Sequence, residues 1–341
     1  MRRCARLLSF VAAILLLAAC SPFGHLTSVN HDGPAAHGPR AAECGQCHIE
    51  QHREWQTSSH AHAFGNPRFQ AALAGSGEEC LGCHAPATVR TGGVSPQPRR
   101  YHREDGVSCL ACHLDKGTMT GPGEESALFT PHPVRQESAF FRDSALCGSC
   151  HQETFAAWQA SSRATPATPT CQECHMPAVS RTATQGTNPF SRALVSFEAV
   201  QASRRHTFGF AHLAGAPGLV EMSPLPGWRP TKNTALSLAV RNQLPHPLPA
   251  VGYRSRSVRV TVRLRGQDGT LLGQGSTVLG QGDGASFLSP GENRILSIPM
   301  AVAPAAATQP VTLAAALVLL PLGDEGDLTL AQTEFPLPPP P

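Results

Sequence analysis

The C-terminal third of the chain alternates apolar and polar positions with a period of two residues. The alternation is clearest over 234–241 and 257–265, and it is typical of half-buried β-strands. Gln267-Asp268-Gly269 predicts a turn after the second segment. Further strands are predicted over 270–273, 294–300, 310–319 and 328–335. Short antiparallel strands at this spacing favour an all-β, sandwich-like domain over residues 230–337.

The central part of the chain, residues 43–215, predicts short helices instead of a long regular pattern. Helical periodicity is local and covers 49–56, 67–74 and 152–160. Glycine and proline are frequent, with 31 residues each, and aromatic residues make up 6% of the chain. Such a composition provides little material for a conventional apolar core.

Cysteine and histidine positions indicate what fills this region. The pentapeptide C-x-x-C-H occurs five times and uses every cysteine after Cys20. Its cysteines are Cys44, Cys47, Cys80, Cys83, Cys109, Cys112, Cys147, Cys150, Cys171 and Cys174, and its histidines are His48, His84, His113, His151 and His175. The pentapeptide is typical of c-type haem attachment: two thiols form thioethers to the porphyrin, and the histidine binds the iron as proximal ligand. We predict five covalently bound haems.

Zinc ribbons and disulfides are the alternative interpretations of paired cysteines. Neither requires a histidine directly after the second cysteine, and here histidine follows all five pairs. Five motifs between Cys44 and His175 leave little chain for each haem, so the macrocycles are expected to form the core themselves. The predicted fold is therefore a mainly α and irregular multihaem cytochrome c domain with a haem-filled core over 43–215, followed by the all-β domain over 230–337.

The N-terminus predicts export. Residues 1–19 carry three arginines near their start, Arg2, Arg3 and Arg6, and continue into an apolar run too short to span a bilayer. The run ends with Leu17-Ala18-Ala19 before Cys20, which resembles a bacterial lipobox. We predict a cleaved signal peptide and a lipidated Cys20 that anchors the protein to a bacterial membrane on its periplasmic side; an ordinary cleaved signal or an uncleaved anchor is the alternative. Residues 20–42 predict a flexible tether, and 338–341 predict an extended proline tail.

The charge balance bears on the partners. The formal net charge of the chain is +3, and the three arginines of the predicted signal account for all of it. Each ferric haem brings two propionates against one net positive iron porphyrin, so five haems would make the holoprotein acidic by about five charges. We therefore expect redox protein partners with a basic docking face, in the periplasm or the membrane, and no nucleic acid.

The segment after the first motif recurs after the fourth. Trp55 and Trp158 follow their motifs at the same interval. Each motif is expected to continue into a short helix whose tryptophan packs on a porphyrin, which indicates a duplicated haem module. His60 in the first copy corresponds to Arg163 in the second. If His60 binds iron, the second copy has lost that ligand or receives one from elsewhere.

Several of these segments resemble the multihaem cytochromes c of the nitrogen-cycle superfamily. That group includes pentahaem nitrite reductase, hydroxylamine oxidoreductase and its tetrahaem electron-accepting partner. The matching segments are Cys44–Ala63 with its Trp55-x-x-Ser58-x-His60-Ala61, Gly106–His113, Pro131-His132-Pro133, Leu146–Gln152 and Cys171–Pro177. The resemblance covers about residues 43–212. It implies electron-transfer haems that are packed in close pairs and mostly bound by two histidines, here in a lipoprotein form.

The distal ligands decide between electron transfer and catalysis. Two imidazoles give low-spin iron that changes little in geometry between oxidation states, whereas an open sixth position suits chemistry on small molecules. The chain has sixteen histidines, five of them in the motifs. The distal candidates are His60, His102, His132, His206 and His246, and the reserves are His52, His62 and His212. For each, the alternative is a surface histidine or one that binds a propionate.

Sequence context ranks these candidates. His60 matches the superfamily's Ser-x-His-Ala, and His206 resembles a His-x-Phe segment that follows the last motif in such proteins. His132 lies between two prolines that fix its backbone. His102 precedes the third motif, and His246 stands where similar proteins carry Gly-His, although Pro245 replaces the glycine here. Propionate-binding candidates are Arg99, Arg100, Arg103, Arg204 and Arg205, with solvated surface arginines as the alternative.

Three functions fit this pattern. The first is a membrane-tethered electron carrier, the second a reductase of nitrite or a similar small oxyanion at one open haem, and the third a cytochrome subunit of a larger respiratory complex. No motif has the C-x-x-C-K form of the similar nitrite reductases, and neither Tyr101 nor Tyr253 lies in a segment that matches the cross-linked tyrosine of hydroxylamine oxidation. Arg163 in place of a potential ligand favours the reductase. We expect an electron carrier and no catalytic residue.

Overall fold

The structure is a computed structural model of the whole chain. It describes residues 38–75, 78–92, 94–123, 132, 134–187, 189–231, 235–250, 257–280, 287–320 and 326–337. The predicted signal peptide, Cys20, most of the predicted tether and the proline tail lie outside these residues. Within them, no helix has the length and apolar character that crossing a membrane requires. The chain divides into a first unit, Met1–Cys150 with Met176–Phe208, and a second unit, His151–His175 with Gly209–Pro341.

Short helices occupy the part of the chain that carries the cysteine motifs. They are α1 (Ala41–Cys44), α2 (Ile49–Gln56), α3 (Pro67–Leu73), α4 (Leu81–His84), α5 (Cys109–His113), α6 (Ser138–Arg142), α7 (Ala145–Gly148), α8 (Gln152–Ala164), α9 (Cys171–His175) and α10 (Pro189–Val195). The three helices predicted from periodicity are confirmed as α2, α3 and α8, the last of which continues to Ala164. Helix α3 begins with Pro67 after Asn66, whose side chain accepts hydrogen bonds from the backbone N–H groups of Arg68 and Phe69.

The duplicated segment has the same local structure in both copies. His48 and His151 each occupy the N-cap position of the helix that follows their motif, so the motif passes directly into α2 or α8. Trp55 is buried and donates its Nε1–H to the carbonyl oxygen of Val107 at 2.8 Å. Trp158 donates to the carbonyl oxygen of Pro169, also at 2.8 Å. Both tryptophans therefore anchor their helix to a later loop of the same unit.

Small sheets occur in both units. The strands are β1 (Leu114–Asp115), β2 (Thr118–Gly121), β3 (Val134–Gln136), β4 (Ala178–Arg181), β5 (Gln201–Arg204), β6 (Val220–Pro224), β7 (Leu236–Asn242), β8 (Val258–Gly266), β9 (Leu271–Leu279), β10 (Asn293–Ile298), β11 (Met300–Val302), β12 (Val311–Leu319) and β13 (Leu328–Leu337). The first unit has the sheet β1-β2-β3 and the antiparallel pair β4-β5. The second unit has one sheet of order β10-β7-β6 and one of order β11-β9-β8-β12-β13.

The two larger sheets form a sandwich. Alternate residues of β12 and of β8 are buried, as are alternate residues of β7 in the other sheet. Their side chains join one apolar core that includes Leu238, Val260, Ile298 and Leu313. Full burial of such a side chain stabilises the fold by about 1.5–3 kcal/mol. The predicted all-β sandwich is confirmed, and the predicted turn is present where Gly266 N–H donates to the carbonyl oxygen of Thr270 at 2.9 Å.

The first unit is built differently. One apolar cluster of its described buried residues consists of Ala41, Trp55 and Ala61, with Cys109 and Phe208 packed against it. Further apolar residues are buried outside this cluster, among them Leu81, Leu110 and Ala111. Most of its motif cysteines and histidines are only half-buried. The predicted helical and irregular domain is confirmed as a fold. A region with so small an apolar cluster needs further packing material, as expected of a domain that wraps bound macrocycles.

Gly106 marks a close backbone approach in the first unit. Its φ of 54° is in the left-handed region, and a Cβ there would lie 2.4 Å from the carbonyl oxygen of His60 and 2.7 Å from that of Ala61. The next residue, Val107, donates its N–H to the same His60 oxygen at 2.9 Å. Only glycine allows this contact, because any other residue would place a carbon against two backbone oxygens.

We therefore predict that Gly106→Ala lowers the free energy of unfolding of the haem-loaded protein by about 1–3 kcal/mol, the usual cost of a strained backbone position. Urea unfolding followed by circular dichroism measures the change. Gly92→Ala is the matched control, since Gly92 also has a positive φ, 62°, but nothing within 4 Å of its would-be Cβ. An equal loss in both variants would contradict the proposed steric cause.

Candidate haem-binding sites

Each motif forms a turn of helix that presents its thiols and imidazole together. Helices α4, α5 and α9 consist largely of motif residues, and in the first motif the N–H of His48 donates to the carbonyl oxygen of Cys44 at 2.9 Å. Helical spacing places cysteines three residues apart on one face. The ten motif cysteines all lie within the described residues and form no disulfide. In the same part of the chain, no three His, Cys, Asp or Glu side chains converge as a metal-ion site.

The proximal imidazoles of the first unit are held by backbone carbonyls. The Nδ1–H of His48 donates to the Ala183 oxygen at 2.8 Å, that of His84 to the Ala63 oxygen at 2.7 Å, and that of His113 to the Thr120 oxygen at 2.8 Å. A carbonyl oxygen only accepts hydrogen bonds, so these contacts require the hydrogen on Nδ1. The Nε2 lone pair of each ring is then available to a metal.

Burial favours the neutral form of several of the motif histidines and of His206. It lowers the pKa of His84, His113 and His151. Burial, with a smaller contribution from His246, lowers the pKa of His175 to about 4. Burial, with a smaller contribution from His113, lowers the pKa of His206 to about 3. A metal requires the deprotonated Nε2, so neutral rings at physiological pH suit iron binding.

Three predicted distal histidines face a proximal imidazole within the same unit. The ring centroids of His48 and His132 are 6.2 Å apart. Those of His113 and His206 are 6.2 Å apart with an interplanar angle of 30°, and those of His175 and His246 are 6.3 Å apart at 29°.

This spacing matches the requirement of one shared iron. Two metal–imidazole bonds of about 2 Å each, plus about 1 Å from each nitrogen to its ring centre, give roughly 6 Å between centroids. The three pairs therefore fit a haem iron bound from both sides. Neutral rings, carbonyl-held Nδ1 atoms and adjacent thiols form the donor set that a c-type haem needs.

The other two distal candidates have different surroundings. The ring of His60 lies 4.5 Å from that of Phe208 between centroids, and its carbonyl oxygen is held by Val107. His102 has a left-handed backbone with φ 53°, and its Nδ1 lies 3.7 Å from a carboxylate oxygen of Glu104. Iron ligation by His60 and His102 stays a prediction.

The reserve histidines have other contacts. His212 is exposed and uses its Nε2 in a 2.7 Å hydrogen bond with the carbonyl oxygen of Cys174. His62 is exposed. The ring of His52 packs where a Cβ on Gly45 would lie, at 2.5 Å, and stands 5.5 Å from the Trp55 ring. Of the three, His212 is the clearest case of a ring whose iron-binding nitrogen is already occupied.

Thiols of different motifs meet in the first unit. A hydrogen bond between the side chains of Cys44 and Cys109, supported by burial, raises the pKa of Cys44, and the same bond lowers the pKa of Cys109. A hydrogen bond with Cys150 lowers the pKa of Cys83 to about 7. The first motif is therefore adjacent to the third, and the second is adjacent to the fourth.

The arginines predicted to bind propionates are partly used by the protein itself. All five N–H groups of Arg99 have acceptors, namely the carbonyl oxygens of Pro86, Tyr101, His102 and Gly106 and the hydroxyl of Ser108. Because a guanidinium has five such donors, Arg99 has none left for a propionate and instead fixes the loop before the third motif. Arg103 donates to the Arg99 oxygen, Arg204 to the Met176 oxygen and Arg205 to Glu54. Arg100 is exposed.

Arg163, the counterpart of His60 in the second copy, is exposed on α8. Its Nη2 donates to the side-chain oxygen of Gln159, one helical turn earlier, at 3.1 Å. The Arg163 side chain therefore forms a contact within its own helix.

Asn242 is a site residue whose role the sequence did not reveal. It is fully buried at the end of β7, and its Nδ2 donates to the carbonyl oxygens of His246 at 3.0 Å and Leu288 at 2.9 Å. Its Oδ1 accepts from the N–H of Leu244 at 3.0 Å. These bonds fix the loop from which His246 faces His175. An asparagine shortly before a histidine between prolines was the available signal.

We predict that Asn242→Ala destabilises the protein by about 1–3 kcal/mol, because the buried carbonyl oxygens lose their donors. The low-spin spectrum is expected to weaken for one haem as the His246 loop loosens. Thermal unfolding and electron paramagnetic resonance (EPR) of the same sample measure both effects. Asn293→Ala, at an exposed asparagine in the neighbouring strand β10, is expected to change neither; a loss as large at that position would contradict the assignment.

These features define the class of protein: the chain contains a multihaem c-type cytochrome domain, a class that implies electron transfer. Residues 43–114 match the family described as cytochrome c554 and c-prime. This match covers the first three attachment motifs.

A solved structure shows the same fold over most of the chain. The penta-heme cytochrome c552 from Thermochromatium tepidum aligns with a TM-score of 0.57 at 17% sequence identity, over 88% of this chain and 99% of that one. A part of native alpha-2-macroglobulin from Escherichia coli aligns over 38% of this chain and 17% of that one, with 18% identity and a TM-score of 0.23, too low for an argument. No curated protein matches the sequence.

Proposed function

We propose that the protein is a periplasmic electron carrier with five c-type haems, one at each C-x-x-C-H motif. The observation that carries the proposal is the set of three imidazole pairs at centroid separations of 6.2–6.3 Å. The haem supplies an iron that exchanges single electrons. The chain supplies the thiols that attach it and the rings that hold its iron.

The proposed ligand pairs come from distant parts of the sequence. His48 and His132 bind the iron of the first motif, His113 and His206 that of the third, and His175 and His246 that of the fifth. Two imidazoles at fixed separation hold the iron in one geometry through both oxidation states. Little rearrangement then accompanies the gain or loss of an electron, which favours transfer over catalysis.

The proximity of motifs supports a connected array. In the first unit, the Cys44–Cys109 and Cys83–Cys150 contacts join motifs one with three and two with four. Cys112 also acts electrostatically on Cys150, so motifs three and four are close as well. In the second unit, His151 contributes to the lowered pKa of His175. We infer that electrons pass between haems attached at these neighbouring motifs.

We also propose a membrane anchor and redox protein partners for this carrier. The apolar segment before Cys20 supports export and lipid anchoring to a bacterial membrane. An acidic holoprotein would be guided to redox proteins with a basic docking face. These roles are equally compatible with a subunit of a larger respiratory complex.

We predict that His132→Ala, His206→Ala and His246→Ala each convert one haem from low spin to high spin and leave covalent haem content unchanged. The reason is that each removes one of two iron ligands while the thioethers remain. Low-temperature EPR of the oxidised protein measures the spin states, and haem stoichiometry is determined on the same sample.

His212→Ala is the matched control, since the Nε2 of His212 is bonded to a carbonyl oxygen; its spectrum is expected to equal that of the wild type. If all three variants stay fully low spin, the ligand assignment is wrong. A high-spin signal in the wild type that shifts on adding nitrite or hydroxylamine would show an open iron and support the reductase instead.

We further predict that Cys20→Ser releases the haem-loaded protein from the membrane fraction into the soluble periplasmic fraction, because the acyl-bearing residue is lost. Haem staining of the separated fractions provides the measurement. A substitution within the tether, Ser28→Ala, is expected to leave the protein membrane-bound. Membrane retention of the Cys20 variant would contradict a lipid anchor at this residue.

A further inference from the structure

Glu54 is a buried charge that haem attachment by itself does not require. It lies near the end of α2, and its side chain is 6% exposed. Arg181 donates to both carboxylate oxygens at 2.9 Å, and Arg205 donates to Oε1 at 3.0 Å. The backbone N–H of His206 donates to Oε2 at 2.9 Å. One carboxylate therefore accepts four hydrogen bonds from three residues.

The carboxylate is held in its ionised form. Burial alone raises the pKa of Glu54, but the hydrogen bonds from Arg181 and from the His206 N–H, with the charge of Arg181, lower it overall. A buried carboxylate is costly unless it is paired and hydrogen-bonded in this way. The arrangement is thus a built contact and differs from the surface pair of Glu50 and Arg53 one turn earlier.

The bonds converge on the backbone that leads to one proposed ligand. Arg181, at the end of β4, also donates to the carbonyl oxygen of Arg204 at 3.0 Å, at the end of β5. The Glu54–Arg181 pair therefore forms hydrogen bonds with the carbonyl oxygen of Arg204, the guanidinium of Arg205 and the N–H of His206. The ring of His206 faces His113 from this fixed backbone.

We infer that Glu54 is a positioning residue that holds His206 against the iron attached at the third motif. The inference rests on the proposed function, in which His206 is the distal ligand of that iron. A metal–nitrogen bond tolerates little displacement, so the ring must be fixed through its own backbone. Glu54 accepts the backbone N–H of His206 itself. It lies on helix α2, which directly follows the proximal His48 of the first motif.

A carboxylate is required because an amide cannot make the same contacts. Glutamine would offer one acceptor oxygen and one NH₂ donor, and that donor would face a guanidinium. Arg181 would lose half of its bidentate pair, and the His206 N–H would lose its acceptor or compete for the remaining oxygen. Aspartate would keep the charge but withdraw the oxygens by one methylene group.

The experiment compares Glu54→Gln with the wild type in the full-length, haem-loaded protein, by EPR at fixed haem stoichiometry. We expect loss of the low-spin signal of one haem and its recovery when imidazole is added, because a free ring can replace the displaced one. The double variant E54Q/H206A is expected to have the same high-spin content as H206A alone. Glu50→Gln, the same change on the same helix, is the matched control and should keep the wild-type spectrum.

The outcomes separate the inference from the proposed function. If H206A itself stays low spin, the ligand assignment fails. If H206A opens one haem but E54Q keeps the wild-type spectrum, the positioning role is overturned. If E54Q loses haem or does not accumulate, Glu54→Asp decides: a high-spin fraction above that of the wild type that imidazole removes supports the inference, and a spectrum equal to that of the wild type overturns it.

Discussion

The hydrogen bond from a proximal Nδ1–H to a backbone carbonyl is the contact on which the haem-binding units depend. It fixes the tautomer, the ring orientation and the position of the Nε2 lone pair at once. For His48 the acceptor is Ala183, beyond the last attachment motif. Ala183 is fixed in turn, because the Glu198 carboxylate accepts its N–H and that of Thr184. The first motif is therefore complete only when the chain has folded past the fifth.

This dependence explains what the sequence could and could not predict. The motifs, helix α2 and the alternating strands follow from local patterns, and the fold class was correct. Ala63, Thr120 and Ala183 could not be found as acceptors, because any residue has a carbonyl oxygen and only the packing selects which one is used. The role of Glu54 could not be found either, because its partners, Arg181 and Arg205, lie more than a hundred residues away in the sequence. Five histidines were named as distal candidates from context, and the structure places three of them opposite a proximal ring.

The two units achieve stability by different means. The sandwich buries alternate residues of long paired strands, such as Val311–Leu319 against Val258–Gly266, in a continuous apolar core. The first unit has a small apolar cluster and many hydrogen bonds from side chains to backbone, for example those of Arg99. A ligand that binds only the folded state adds its binding free energy to stability. Covalently attached macrocycles would contribute in this way most strongly where the apolar cluster is smallest.

Paired charges surround the third motif, and their arrangement suits a site whose iron changes charge. Nη1 of Arg90 lies 2.6 Å from a carboxylate oxygen of Glu137, and its Cζ lies 3.7 Å from the centre of the Phe140 ring. The neighbouring Phe141 stacks on the His113 ring. On the side of His206, Glu54 pairs with Arg181. A buried unpaired charge would favour one oxidation state strongly and would tend to move as the iron changed charge. Paired and hydrogen-bonded groups are already fixed, so they respond little when an electron arrives or leaves. The same bonds that position His206 thereby keep the surroundings of its proposed iron rigid, which is the property that an electron carrier requires.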